Sequence, residues 1–216
     1  MNKLFFVTCL LATSTLCHLR PRDKIPNFSA LAVQGGDVNK VSFKDFKGKY
    51  MVLVFYPLDF TYVCPTELIA FSDHMERFNA LETTVFGIST DSHFSHLAWI
   101  KTERKQGGVG TLSYPLISDF SKKISREFGF LVEDEEDELN GAALRGLVIV
   151  GPDGVIRHTQ INDAPVGRSV DEVIRLIQAF KHTDKNGVVC PANWTPGSNT
   201  IKPDPKDKLE YFQSEF

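Results

Sequence analysis

Four cysteines carry the most reactive side chains in this 216-residue sequence: Cys9, Cys17, Cys64 and Cys190. Four in a chain of this length do not make a disulfide scaffold, and no two form a C-x-x-C pair. Cys64 has the most telling surroundings. It lies in Phe55-Tyr-Pro-Leu-Asp-Phe-Thr-Tyr-Val-Cys-Pro-Thr-Glu67, between an apolar run and a segment of helical period. Pro65 suits the first turn of a helix, where its missing N–H costs nothing. The free N–H groups and positive end of that helix then face the sulfur and stabilise a thiolate. Thr61, three residues earlier, offers a hydroxyl to the sulfur or to a small bound oxidant. The plainer alternative is that a lone cysteine in an apolar loop is a small hydrophobe. Cys190 follows a helix and Gly187 and leads a proline-rich tail, which suits either a mobile, exposed, reactive thiol or an ordinary surface cysteine. His93 and His96 are an i, i+3 pair able to chelate. No cysteine lies near them in sequence, so packing or surface is the plainer reading.

The elements that must position these residues alternate in type. Tyr50 to Tyr56 is a continuous apolar run between Gly48 and Pro57, as expected for a strand buried on both faces. Leu68, Phe71, Met75 and Phe78 then share one face of a helix. Thr83–Thr90 is β-rich, His93–Arg104 helical, Tyr114–Ile117 strand-like and Ser121–Phe128 helical. Arg145 opens a strand through Leu147–Val150 and can project from a rigid element, although a surface ion pair is its commoner fate. Gly151-Pro-Asp-Gly154 turns that strand into Val155–Gln160. The last long helix opens at Ser169, with Glu172 completing a capping box and Val173, Ile174, Ile177 and Phe180 forming its apolar face. No repeat at a solenoid period is found. The alternation predicts an α/β fold with a central mixed sheet flanked by helices. From about Pro191 the pattern gives way to an extended, proline-rich C-terminal tail.

Composition sets the outer limits. Hydrophobic residues at 42% and charged residues at 24% are globular values, so wholesale disorder is excluded. The net charge of −3 argues against a nucleic-acid binder driven by bulk charge. Residues 1–22 differ from the rest. Lys3 precedes an apolar run from Leu4 to Leu16, and no acid occurs before Asp23. That is the layout of a secretory signal peptide, too short for a comfortable transmembrane helix. A mitochondrial transit peptide and a short apolar tail on a cytosolic protein remain as alternatives. Cys9 and Cys17 fall in this leader. The expected organisation is a leader over 1–22, a catalytic domain over 23–187 and a C-terminal arm over 188–216.

The segment Phe55–Glu67, together with Val189-Cys-Pro-Ala-Asn-Trp194, resembles the typical 2-Cys peroxiredoxins. So do His96-Leu-Ala-Trp99, Leu144-Arg-Gly-Leu147 and Asn162-Asp-Ala-Pro-Val-Gly-Arg-Ser169. The resemblance runs from about Pro26 to Phe212. It implies a thioredoxin-like fold and thiol-dependent reduction of hydrogen peroxide and organic hydroperoxides, as antioxidant defence and redox homeostasis. By this resemblance Cys64 matches the peroxidatic cysteine. Pro57 and Thr61 match the residues that shield it and bond the peroxide. Arg145 matches the arginine that stabilises the thiolate and polarises the O–O bond, and Glu67 the acid that holds that arginine. Cys190 matches the resolving cysteine, which acts from the partner subunit. Its disulfide with Cys64 would be recycled by thioredoxin and would be labile rather than structural. A homodimer is implied, and less firmly a decamer of five dimers. No cofactor, metal, nucleic acid or membrane belongs to this expectation.

Two further elements match the family. Gly107-Gly108-Val109-Gly110 has Val109 where leucine is usual, and Tyr211-Phe212 matches a C-terminal Tyr-Phe pair. Both mark enzymes whose helix at Cys64 unwinds slowly, so that a second peroxide can oxidise sulfenic to sulfinic acid. Three departures stand out. Glu133–Glu138 is an acidic run longer than the family usually has, read as a solvated loop insertion. Thr102-Glu103 replaces a Thr-Pro of some relatives, and Ala164 replaces a leucine. A holdase chaperone and a general thiol–disulfide oxidoreductase are the competing functions. The second is weakened by the missing C-x-x-C.

Overall fold

A computed structural model describes residues 19–216. Cys9, Cys17 and most of the expected leader lie outside the described residues. Residues 19–22, at its end, are joined to the domain: Leu19 packs against one face of the core and the Arg22 N–H donates to the Ile156 carbonyl at 2.9 Å.

The strands are β1 (Ser29–Gln34), β2 (Asp37–Ser42), β3 (Tyr50–Phe55), β4 (Thr83–Ser89), β5 (Leu116–Ser118), β6 (Arg145–Val150) and β7 (Ile156–Asn162). The helices are α1 (Cys64–Asp73), α2 (Met75–Ala80), α3 (His93–Lys101), α4 (Lys123–Glu127), α5 (Val170–Asn186) and α6 (Lys208–Glu215). The strands form one mixed sheet in the order β2-β1-β5-β4-β3-β6-β7. β4 runs parallel to both β3 and β5, and the remaining pairs are antiparallel. With helices on both faces this is a thioredoxin-like α/β fold. The β1–β2 hairpin at one edge was not anticipated from the sequence. Its turn rests on Gly35 and Gly36, both at positive φ, where glycine meets no steric penalty.

Strand β3 is buried on both faces, as its unbroken apolar run requires. Val52, Val54 and Tyr56 join one cluster with Leu68, Phe71, Phe78, Trp99, Val173, Ile174 and Ile177. Met51, Leu53 and Phe55 alternate to the other face, among Phe28, Phe43, Phe86, Phe128 and Phe130. Each such fully buried side chain contributes about 1.5–3 kcal/mol. Two differences from the expected elements have local causes. The helix expected from Leu68 through Phe78 is two helices, broken at His74, whose backbone leaves the helical region (φ −98°, ψ 12°). Its ring Nδ1 lies 2.8 Å from the Ala70 carbonyl and satisfies the end of α1, while Phe71 and Phe78 still share one core. Helix α3 stops at Lys101, and a 3-10 turn, Arg104–Gln106, follows.

Helix α5 is capped as expected on one side. Ser169 Oγ accepts from the Glu172 N–H at 3.3 Å, but the Glu172 carboxylate turns to Arg175 instead of closing the box. Beyond it the tail is proline-rich but folds back on itself, with Val189 and Ile201 pairing as an isolated antiparallel bridge. Helix α6 closes on this turn through Asn199–Glu215 and Lys202–Glu210 contacts.

Candidate active site

The loop from Tyr56 to Val63 leads from the end of β3 into α1, and Cys64 is the first residue of that helix. Pro65 follows it, and the next amides, of Thr66 and Glu67, fold back onto the Val63 carbonyl. The Cys64 side chain is fully buried. One turn along α1, Glu67 is buried beside it.

Two arginines from other elements converge on this turn. Arg145, the first residue of β6, points a guanidinium N–H (Nη1) at Cys64 Sγ, 3.4 Å away. The same nitrogen donates to Glu67 Oε2 at 2.8 Å, and Nε donates to the Ala164 carbonyl at 2.6 Å. Arg168 grips Glu67 from the far side. Its backbone N–H and Nε donate to Oε1 at 2.8 and 2.7 Å, and Nη2 donates to Oε2 at 2.9 Å. Arg168 Nη1 donates to the carbonyls of Phe55 and Gly146, which ties the cluster to the ends of β3 and β6. Arg145 and Arg168 are 3% and 7% exposed. Two guanidiniums and one carboxylate leave one positive charge beside the sulfur. In a buried site such a charge needs a partner, and the Cys64 sulfur is the group it faces.

Arg168, which nothing in the sequence singles out, supplies the second buried guanidinium of this cluster. It stands inside the quoted Asn162–Ser169 stretch, but nothing local marks it as buried. A second unassigned set holds the loop itself. Asp59 accepts from the Tyr56 hydroxyl at 2.9 Å and the Ser95 hydroxyl at 2.8 Å, and His96 Nδ1 lies 2.8 Å away. The Asp59 N–H donates to Asp91 at 2.9 Å. Burial, reinforced by the Asp59 charge, pushes the Tyr56 hydroxyl well above its ordinary value and raises the Asp91 carboxyl as well. His96 is thereby committed to this network, while the His93 ring packs on Phe94. The pair does not converge on a shared point.

Other expected site residues sit as follows. Pro57 is buried in the loop. Thr61 Oγ1 donates to the Leu58 carbonyl at 2.9 Å, so its hydroxyl braces the loop rather than bonding the sulfur. Gly107 and Gly110 both have positive φ, and the Gly107 carbonyl accepts from Trp99 Nε1 at 3.0 Å. A Cβ on Gly108 would run into the Thr102 backbone. Tyr211 and Phe212 meet edge-on in α6 with ring centroids 5.6 Å apart. Cys190, expected to be exposed, is half-buried against α5, with Sγ 3.9 Å from the Ala179 carbonyl. Burial pushes its thiol up, while the Arg175 charge pulls the other way. Both Cys64 and Cys190 are free thiols. The acidic run Glu133–Glu138 is an exposed loop, with Glu133 paired to Arg126 at 2.9 Å.

A buried cysteine at a helix start, faced by a carboxylate-held arginine in a thioredoxin-like fold, defines a thiol enzyme. Comparison with known proteins gives the family. Residues 21–159 match the AhpC/TSA family, and residues 179–214 match the C-terminal domain of 1-Cys peroxiredoxin. The chain is 53% identical over 205 residues to a human thioredoxin-dependent peroxide reductase, mitochondrial, covering 94% of this chain and 78% of that protein. It is 53% identical over 197 residues to bovine peroxiredoxin-2, covering 91% and 96%. The reduced 2-Cys peroxiredoxin of Plasmodium vivax superposes with a TM-score of 0.85 at 38% identity, covering 89% of this chain and 98% of that one. The chain belongs to the AhpC/TSA family and, within it, to the typical 2-Cys peroxiredoxins. It is a thiol peroxidase with an antioxidant function.

Proposed function

We propose that Cys64 is the peroxidatic thiol, that Cys190 of a second copy resolves it, and that thioredoxin returns the disulfide to two thiols. The observation that carries this reading is the 3.4 Å contact between Arg145 Nη1 and Cys64 Sγ inside the Glu67–Arg168 cluster. The thiolate attacks one oxygen of the hydroperoxide and the O–O bond breaks. Sulfur is oxidised to sulfenic acid, and the leaving oxygen takes up a proton as alcohol or water. Negative charge grows on the leaving oxygen, and an already oriented guanidinium lowers that barrier without reorganising. Pro57 shields the sulfur, and the Thr61 hydroxyl turns from Leu58 to bond the peroxide. Cys190 then attacks the sulfenic sulfur, forming the disulfide and releasing water. The reductant is named for the human relative and is carried here by similarity.

Further parts of this reading concern assembly, regulation and compartment. The chain acts as a homodimer, with a decamer of five dimers as the larger assembly. The glycine segment and the Tyr211–Phe212 pair delay the opening of α1 and make Cys64 prone to over-oxidation. Residues 23–187 form the peroxidase domain and 188–216 the arm that carries Cys190. Mitochondrial relatives such as the human one favour a mitochondrial leader over the secretory one. Residues 19–22 pack on this domain, so its edge lies before residue 23 and the leader ends earlier than the expected residue 22. N-terminal sequencing of the native protein decides both points.

Cysteine variants test the chemistry. Cys64→Ser should abolish peroxide consumption, and Cys190→Ser should allow one round of Cys64 oxidation without turnover on thioredoxin. Full activity of the Cys64 variant would overturn the reading.

A further inference from the structure

The arm that carries Cys190 is fastened to its own chain. Trp194, only 2% exposed, closes the segment four residues beyond Cys190. Its ring lies 4.9 Å from that of His182 in α5. Its carbonyl accepts a hydrogen bond of 2.9 Å from Arg175 Nη1. The remaining Arg175 nitrogens are held by Glu172: Nε to Oε2 at 2.6 Å and Nη2 to Oε1 at 2.7 Å. A guanidinium held along one edge by a two-bond fork presents its remaining nitrogen in a fixed direction. Thr195 and Pro196 line the cleft beside Glu172, Arg175 and Gln178. Cys190 therefore sits between two anchors, the end of α5 before it and the Arg175–Trp194 bond after it. Its sulfur rests on the same helix, against Ala179.

We propose that Arg175, oriented by Glu172, is a latch that holds the Cys190 arm on its own α5, and that its release limits how fast Cys190 reaches an oxidised Cys64. Arg175 is a positioning residue here and touches neither the peroxide nor Cys64. The inference rests on the reading of Cys190 as the resolving thiol. It adds a second brake to whatever delay the opening of α1 imposes, on the opposite partner of the reaction. While the latch is closed, a sulfenic acid on Cys64 waits and a second peroxide can take it to sulfinic acid.

Stopped-flow fluorescence of the full chain separates Cys64 oxidation from disulfide formation. Arg175→Gln should leave the oxidation step unchanged and speed disulfide formation, compared as the limiting rate at alkaline pH where Cys190 is thiolate in both proteins, by about three- to tenfold, the range expected when one charge-assisted bond to a partly exposed group is lost. The peroxide concentration that gives half-sulfinylated Cys64, read by mass spectrometry, should rise by a similar factor. Amide hydrogen exchange over residues 188–198 of the reduced protein should quicken. Glu172→Gln keeps the guanidinium but loosens its hold, and should shift the same readouts in the same direction by less. Unchanged or slower disulfide formation, or unchanged exchange across 188–198, overturns the latch. Cys190→Ser is the control for the underlying reading. If it still forms the Cys64 disulfide, the assignment of Cys190 fails. If it blocks the disulfide while Arg175→Gln changes nothing, only the latch fails.

Discussion

At the scale of single residues, the site is a charge arrangement with one place left for an anion. Glu67 cannot neutralise both Arg145 and Arg168, and the sulfur of Cys64 stands where the remaining charge points. Arg145→Gln keeps a donor but removes that charge. It should lower the second-order rate of Cys64 oxidation by about 10²–10³-fold, the usual cost of losing a preoriented group at developing charge, as measured by competition kinetics with peroxide. Cys190 obeys the opposite economy, since burial holds its thiol above the ordinary value. The thiolate fraction is then small near neutrality and grows as pH rises toward that value. With arm release acting as a pre-equilibrium ahead of the chemical step, disulfide formation should accelerate steadily between pH 7 and 9 in rapid-mixing experiments, because only the thiolate attacks. The residues legible in the sequence were those with a local signature. Cys64 had its proline and helix start, whereas Arg145 stood out only through the family resemblance, its own position in the sequence favouring a surface ion pair. Arg168 had no such signature, because its burial comes from packing between the ends of β3 and β6, which are 90 residues apart along the chain at Phe55 and Arg145.

At the scale of elements, the sheet does the positioning. β3 delivers the loop before Cys64, β6 delivers Arg145, and the turn after β7 delivers Arg168. Gly146 is the joint between them. Its carbonyl accepts from Arg168, and a Cβ there would enter the ring of Phe130. Phe130 is itself locked against Phe55, with centroids 4.9 Å apart. Gly146→Ala should destabilise the protein by about 1–3 kcal/mol through overpacking in chemical denaturation, and should slow Cys64 oxidation by shifting Arg145. Strand periodicity revealed β3, β4 and β6 because they are long and apolar or terminated by clear turns. The β1–β2 hairpin was missed because most of its β2 residues are exposed, so they carry no apolar alternation. The break at His74 was missed because the apolar spacing runs on across it, and only the His74 ring bond reveals the stop.

At the scale of the whole molecule, the polar network around Asp59 and Asp91 stitches the active loop to β4, β5 and α3. Ser89 and Ser118 both bond Asp91, to its carboxylate and its carbonyl respectively. Burial raises the Asp91 carboxyl, so its ionised form is the less favoured in the fold. Asp91 thus favours folding below the ordinary carboxylate range and opposes it as pH rises through its folded value. Asp91→Asn retains an acceptor and removes the charge. Its denaturation midpoint should exceed that of the parent at pH 7, and the difference should shrink as the solution is acidified toward the carboxylate range. The fold class was legible from the alternation of strands and helices. The network was not, because it gathers Tyr56, Asp59, Asp91, Ser95 and His96 from three elements with no common spacing.

Glu67 shares a single helical turn with Cys64, and this couples leaving the site to disturbing it. If the first turn of α1 unwinds so that Cys64 can meet a distant thiol, the carboxylate that separates Arg145 from Arg168 is dragged away with the sulfur. Two like charges then stand beside each other without the carboxylate between them. The extended conformation would be under electrostatic tension for as long as the disulfide holds it open. Reduction lets that repulsion fall as the turn rewinds, so the fold would carry its own restoring force from one catalytic cycle to the next.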